Sequence, residues 1–191
     1  MNNNSASSTY QLPLLDLADG ASVQKELDKA LRKEENRIEI LMRKVRTLHE
    51  ELNQVLYTAK VKDKPVINSP ADAYAILQPF LGSLQHEELW VVLLNTRNHI
   101  LELVRLYQGS TNSSQVKVGE VFRAAIARGG VSAVIVAHNH PSNDPTPSPD
   151  DVAVTRAIVQ AGKLLDVEVL DHLVVCVDRF VSLKERGLGF S

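Results

Sequence analysis

The sequence predicts an α/β (α+β) domain, a central sheet with helices packed on it, preceded by one long helix. Three observations carry this reading. Residues 66–191 alternate short apolar runs with helical patterns, which builds a sheet flanked by helices. Residues 22–59 contain no Gly or Pro and are rich in Lys, Glu, Leu and Arg, the composition of an uninterrupted helix. A 44% hydrophobic content in 191 residues is enough to bury one good core.

Residues 1–20 are polar and then carry the short patch "LPLLDL", which reads as a flexible tail. The long helix is expected over 21–60, from Ser22 as N-cap to about Ala59. Within it Leu27, Leu31, Ile38, Leu41, Val45, Leu48, Leu52 and Val55 recur in alternating steps of four and three, with Glu34 the one polar exception. That heptad seam has two readings, a helix packed along its own domain or a coiled-coil homodimer through residues 22–59. "VKDKPV" makes a linker, and Pro65 stops the helix near it. "SPADAYAILQPFL" is a short helix capped by Ser69 with Pro70 at its first position. "LWVVLLN", the turn "TRN" and "HILELVRLYQG" form a hairpin. A helix over Val118 to Arg128, a strand over Val131 to Ala137, a helix over Asp150 to Leu165 and strands in "VEVLDHLVVCVD" and "RFVSL" complete the domain.

Composition excludes several function classes. A formal charge of -2 gives no electrostatic case for nucleic acid or an anionic membrane. No apolar run reaches the roughly 18 residues of a spanning helix, and the first ten residues lack the pattern of a signal peptide, so the expectation is a soluble, cytoplasmic protein. The single cysteine, Cys176, lies in the apolar run "LVVCVD" and reads as a small buried hydrophobe.

The chemistry concentrates in "VSAVIVAHNHPSNDPTPSPDDVAV", Val131 to Val154. Side chains alternate along an extended chain, so His138 and His140 face one way and Asn139 the other. Two imidazoles on one face can bind one metal ion. Ser148, Pro149 and Asp151 then fall at the N-cap, first and third positions of the next helix, from which Asp151 can return over the loop as a third ligand. Two histidines, one carboxylate and a water make the open arrangement of catalytic zinc, and a cysteine-free set argues against a closed structural site. Helix capping alone also accounts for Ser148 and Asp151, and the two roles are compatible. Asp144, Asp150, Asp166, Asp171 and His172 read as loop, cap and strand-end residues, and His86 as solvated.

The spacing His-x-His, seven residues, Ser, two residues, Asp resembles the JAMM (MPN-plus) metalloprotease motif. The stretches "NSSQVKVGEVFRAAI", "AHNHPSNDPTPSPDD", "LDVEVLDHLVV" and "FVSLKERGL" extend the likeness to the RadC-type branch over about residues 66–191. This resemblance implies an MPN/JAB-type domain with a mixed sheet and cytidine-deaminase-like layering. It implies one zinc ion per chain on His138, His140 and Asp151, and Ser148 as the hydroxyl assisting the reacting carbonyl. The family's upstream acid aligns with Glu87, counted back from Asn95; Glu88 is the alternative, since strand alternation lets only one of the pair face the metal. The implied reaction is hydrolysis of a peptide or isopeptide bond, with Glu87 as general base, on a protein or peptide substrate of ubiquitin-like kind. A DNA-repair-associated factor and a non-catalytic MPN scaffold are the alternatives. Two departures stand out. Asn143 replaces the family's usual Gly in a turn, and the heptad helix occupies the place of the helix-hairpin-helix segment behind the branch's association with DNA.

Overall fold

The structure, a computed structural model, describes residues 20–108 and 116–190. The expected tail over the first 19 residues lies outside them. The chain divides into two compact units between Lys44 and Val45. The long helix α1 runs Gly20–Thr58. Ser22 is therefore inside the helix and not its cap, because a small polar residue is tolerated in a first turn and cap chemistry alone does not fix the start.

In the first unit the seam residues Leu27, Leu31, Ile38 and Leu41 are 51 to 54% exposed. The second unit begins with the last part of α1, and here the docked face is rotated from the seam. Leu48 and Val55 stay exposed while Leu56 is buried. The polar residues of that face have a specific task. Asn53 Nδ2 donates to the Leu103 carbonyl at 2.8 Å, and its Oδ1 accepts from the Leu103 N–H at 2.9 Å. His49 Nε2 lies 2.8 Å from the same carbonyl.

Leu103 belongs to an edge strand. The five strands β1 (Glu88–Leu94), β2 (Ile100–Gln108), β3 (Ala133–Asn139), β4 (Glu168–Val175) and β5 (Phe180–Ser182) form one sheet in the order β2-β1-β3-β4-β5. All pairs are antiparallel except β3 with β4. That parallel pair needs a crossover, supplied by a helix, α4 (Pro149–Leu164). The expected hairpin is β1 with β2. Its tight turn is held by Asn95, whose Oδ1 accepts from the Arg97 and His99 N–H groups.

Asn53→Ala is expected to lower stability by about 1 kcal/mol, because it leaves the Leu103 N–H without its side-chain acceptor while the carbonyl keeps only His49. A urea midpoint equal to wild type would refute this account of the helix–edge contact.

Alternation sorts the sheet's side chains into two layers. Val91, Leu93, Val134 and Val136 pack with Val121 and Phe122 of α3 (Val118–Arg128) and Ile158 and Val159 of α4. On the opposite face, Trp90 stacks on Phe80 of α2 (Pro70–Leu81) at 5.6 Å and meets His49 at 4.5 Å. Helices on both faces of a mixed sheet give the three layers that the resemblance implied.

The strand expected over Val131 to Ala137 is shifted toward the site. Gly129 and Gly130 both take positive φ, 70° and 69°, so extended pairing starts only at Ala133. At the other end His138 pairs with Leu89 and Val174, and Asn139 with Val175, so the first histidine is anchored inside the sheet. Asp171 and His172, read as strand-end residues, lie within β4. A bulge places them: Val134 pairs with Val169 but Ile135 with Asp171, so one extra residue enters β4. An extra residue reverses the facing of everything after it. Val169 and His172, three apart, thereby share the α4 side of the sheet.

Candidate metal centre

His138 is the penultimate residue of β3 and His140 begins the loop after it, and both imidazoles turn to the α4 face. Their Nε2 atoms are 3.0 Å apart. Asp151 arrives from the first turn of α4, with Oδ1 3.4 Å from His138 Nε2 and Oδ2 3.7 Å from His140 Nε2. One ligand atom from each of the three residues lies within 4.8 Å of the others. Asn139, between the histidines, points away as alternation requires. Its Oδ1 accepts from the Glu88 N–H at 2.8 Å and its Nδ2 donates to the His86 carbonyl at 2.9 Å.

Local sequence explains the approach of Asp151. Ser148 caps α4 with Pro149 at the first helical position, and the capping box is closed with Asp151. The Ser148 N–H and hydroxyl donate to Asp151 Oδ2 at 2.7 and 2.6 Å, and the Asp151 N–H donates back to Ser148 Oγ at 3.1 Å. Capping and carboxylate placement are thus one structure. Asn143 takes φ 58°, the left-handed turn expected of it, and its Oδ1 accepts from the Val177 N–H at 3.0 Å.

The electrostatics follow from burial and contact. Burial pushes the His138 pKa down to about 4, partly opposed by Asp151. The Asp151 carboxylate raises His140, against a smaller opposing effect of burial. Burial alone would raise Asp151, but the His140 imidazole, His138 and the Ser148 bonds together hold its carboxyl well below the usual range.

Glu87, just before β1, and Glu88, its first residue, part company. Glu88 is buried on the α2 side, where Trp90 Nε1 donates to it at 2.8 Å, His86 Nε2 lies 3.0 Å away and an Arg105 nitrogen 3.6 Å away. His86, expected to be solvated, is therefore only 31% exposed at its side chain and tied to Glu88. Glu87 lines a small cleft with Leu89, Val116, Val154, His138, Asp151 and His172; Glu88 also borders it, but its carboxylate is bonded to His86 and Trp90. Burial raises its carboxyl, His140 opposes this and the Asp151 charge adds to it. A raised carboxyl in a cleft beside potential ligands is chemically suited to accept and release a proton.

Sequence reasoning missed His172. It is fully buried, its Nε2 2.9 Å from His138 Nδ1 and its Nδ1 2.5 Å from Thr155 Oγ1. No periodicity reveals this, since a bulge decides its facing. Asp150 and Asp144 stand in the α4 first turn and the preceding loop, and Asp166 takes φ 53° just after α4, as cap and loop residues do.

The donor set fits a divalent ion. His140 Nδ1 sits 2.7 Å from the Asp144 carbonyl, an acceptor, so this nitrogen carries the ring proton and leaves the Nε2 lone pair inward. Nitrogen lone pairs and a carboxylate converging in a protected place form an electron-rich cluster that a cation relieves. Two imidazoles and a carboxylate suit zinc among other divalent ions.

Among the described residues no helix is long and apolar enough to cross a membrane. The sequence profile described as RadC-like JAB domain matches residues 67–188. A UPF0758 protein of Chloroflexus aurantiacus is 46% identical over 140 residues, covering 73% of this chain and 61% of the relative. One from Roseiflexus castenholzii shows the same 46% over 140 residues, 73% of this chain and 60% of the relative. One from Shouchella clausii is 46% identical over 124 residues, 65% of this chain and 54% of the relative. The chain thus spans about three fifths of the length of the first curated relatives it matches. By the profile match and these identities, the chain belongs to the RadC-like JAB domain family.

Proposed function

We propose that this protein is a zinc-dependent metallopeptidase or isopeptidase that hydrolyses a peptide or isopeptide bond of a protein substrate, a ubiquitin-like conjugate being the kind the family resemblance favours. The observation that carries the reading is the convergence of His138, His140 and Asp151 beside a cleft that also contains Glu87. The three ligands would hold the ion. When bound, a divalent ion supplies a Lewis acid that polarises a carbonyl and acidifies water. Glu87 takes the proton from the attacking water at its carboxylate and passes it to the leaving amine. Ser148 lends its hydroxyl to the developing oxyanion, for which it must release Asp151 Oδ2. Leu89, Val116 and Val154 line the cleft with apolar side chains, which limits water beside the reacting bond. A cytoplasmic location fits the one cysteine, buried and unpaired.

The test is elemental analysis of purified wild type beside a His138→Ala, His140→Ala double variant. Wild type is expected to contain about one zinc per chain and the variant none. No metal in the wild type after zinc addition would overturn the hydrolase reading and favour a scaffold that only binds partners.

A further inference from the structure

Metal coordination by a neutral imidazole requires one bare nitrogen and one that carries the proton. Which is which depends on the second nitrogen's partner. For His140 a backbone carbonyl settles it. For His138 the partner is another histidine, which can donate or accept, so its direction must come from further away.

It comes from Thr155. The Thr155 hydroxyl has one hydrogen and two close partners, the Asp151 carbonyl oxygen at 2.5 Å and His172 Nδ1 at 2.5 Å. A carbonyl can only accept. If the hydroxyl hydrogen went to the ring, two oxygen lone pairs would face each other across the Asp151 contact. If it goes to the carbonyl, the second contact is satisfied by a proton on His172 Nδ1. Only this assignment satisfies both contacts. His172 is buried in β4 and among the described residues no carboxylate bonds its ring, so a second ring proton would be an uncompensated buried charge. Its Nε2 is then bare and accepts at 2.9 Å from His138 Nδ1, which must carry the proton.

We propose that His172 and Thr155 are positioning residues, a two-member hydrogen-bond relay that starts at the Asp151 carbonyl and fixes His138 as the Nδ1-protonated tautomer, with its Nε2 lone pair aimed at the ion. The relay begins and ends on ligand residues: the backbone of Asp151 orients the ring of His138, and the Asp151 carboxylate meets that ring from the other side at 3.4 Å. Two features of the fold hold it. The β4 bulge turns His172 to the α4 face. Gly189, at φ 78°, packs so closely on Thr155 that a Cβ there would sit 2.9 Å from Thr155 Cβ, so any side chain at 189 would push the threonine from its place. The inference rests on reading His138, His140 and Asp151 as a metal site, and its test separates the two.

The first measurement uses metal-free wild type. Two-bond 1H–15N correlation of the histidine rings at neutral pH is expected to show His172 and His138 both protonated on Nδ1. Protonation of His172 on Nε2 would overturn the relay, whether or not the protein binds metal. The second measurement is zinc affinity by chelator competition for wild type, Thr155→Val and Thr155→Ser. Valine keeps the shape and removes the hydroxyl, so affinity is expected to fall about 10- to 100-fold, and serine is expected to restore it. Equal affinity in Thr155→Val would reduce Thr155 to a packing residue and refute the proposal while leaving the metal site standing. A wild type that binds no zinc would instead defeat the hydrolase reading, with the ring tautomers still testing the relay.

Discussion

Glu87→Gln is expected to retain its metal and to lose hydrolysis by at least about 100-fold, the smaller end of what a general base contributes. The amide keeps the size of the carboxylate but cannot take a proton. Glu88→Gln is expected to behave in the opposite way. Its carboxylate lies among His86, Trp90 and Arg105 on the α2 side of the sheet, so the change costs stability and leaves turnover close to wild type. Both variants should be assayed for zinc content, urea midpoint and cleavage of isopeptide-linked substrates. An active Glu87→Gln beside a dead Glu88→Gln would reverse the assignment of the base.

The metal-free protein is expected to lose stability steeply as pH falls from about 6.5 toward 4. His138 takes up a proton in the unfolded chain at the ordinary imidazole pKa, but in the fold only near 4. Above 6.5 both states are neutral and the group is silent. Below it the unfolded state binds more protons, which destabilises the fold by about 3 kcal/mol once pH reaches the folded value. His172, held well below the ordinary value by burial, acts in the same sense. His140 is raised and opposes them in the same window, stabilising the fold as it charges beside Asp151. Asp151 loses its contribution only at lower pH, because its folded pKa is depressed. The net loss is expected because the His138 and His172 rings are both buried, where charging is costliest, and His140 is only partly so. Urea midpoints in a chelator at pH 7.5 and pH 5 check this. A midpoint as high at pH 5 as at pH 7.5 would show that the histidines accept protons without cost.

What the sequence made legible was set by short-range rules. Alternation put His138 and His140 on one face, cap chemistry put Asp151 at the start of α4, and turn residues located the hairpin. Each depends only on neighbours within a few residues. What escaped was decided by distant chain. Whether Glu87 or Glu88 faces the cleft depends on which face carries Arg105 and Trp90. His172 reaches His138 only because β4 accommodates an extra residue, a two-versus-one pairing that no single strand announces. Which face of α1 docks on the sheet was likewise decided by distant chain. Apolar spacing pointed to the seam through Leu48 and Val55, but the sheet edge required polar groups, and Asn53 and His49 supplied them.

The Asn53 contact has a meaning for how small this protein can be made. A primary amide presents an N–H donor and a carbonyl acceptor side by side, so by bonding both the carbonyl and the N–H of Leu103 it acts as a one-residue counterfeit of a sixth strand. The end of α1 is therefore a hem on the sheet. A shortened chain starting after Thr58 would keep all three proposed ligands and the cleft, yet present β2 as a raw border on which a second sheet can grow. Its failure would be loss of solubility in a protein whose chemistry is intact, and a trimmed domain that precipitates would say nothing against the site.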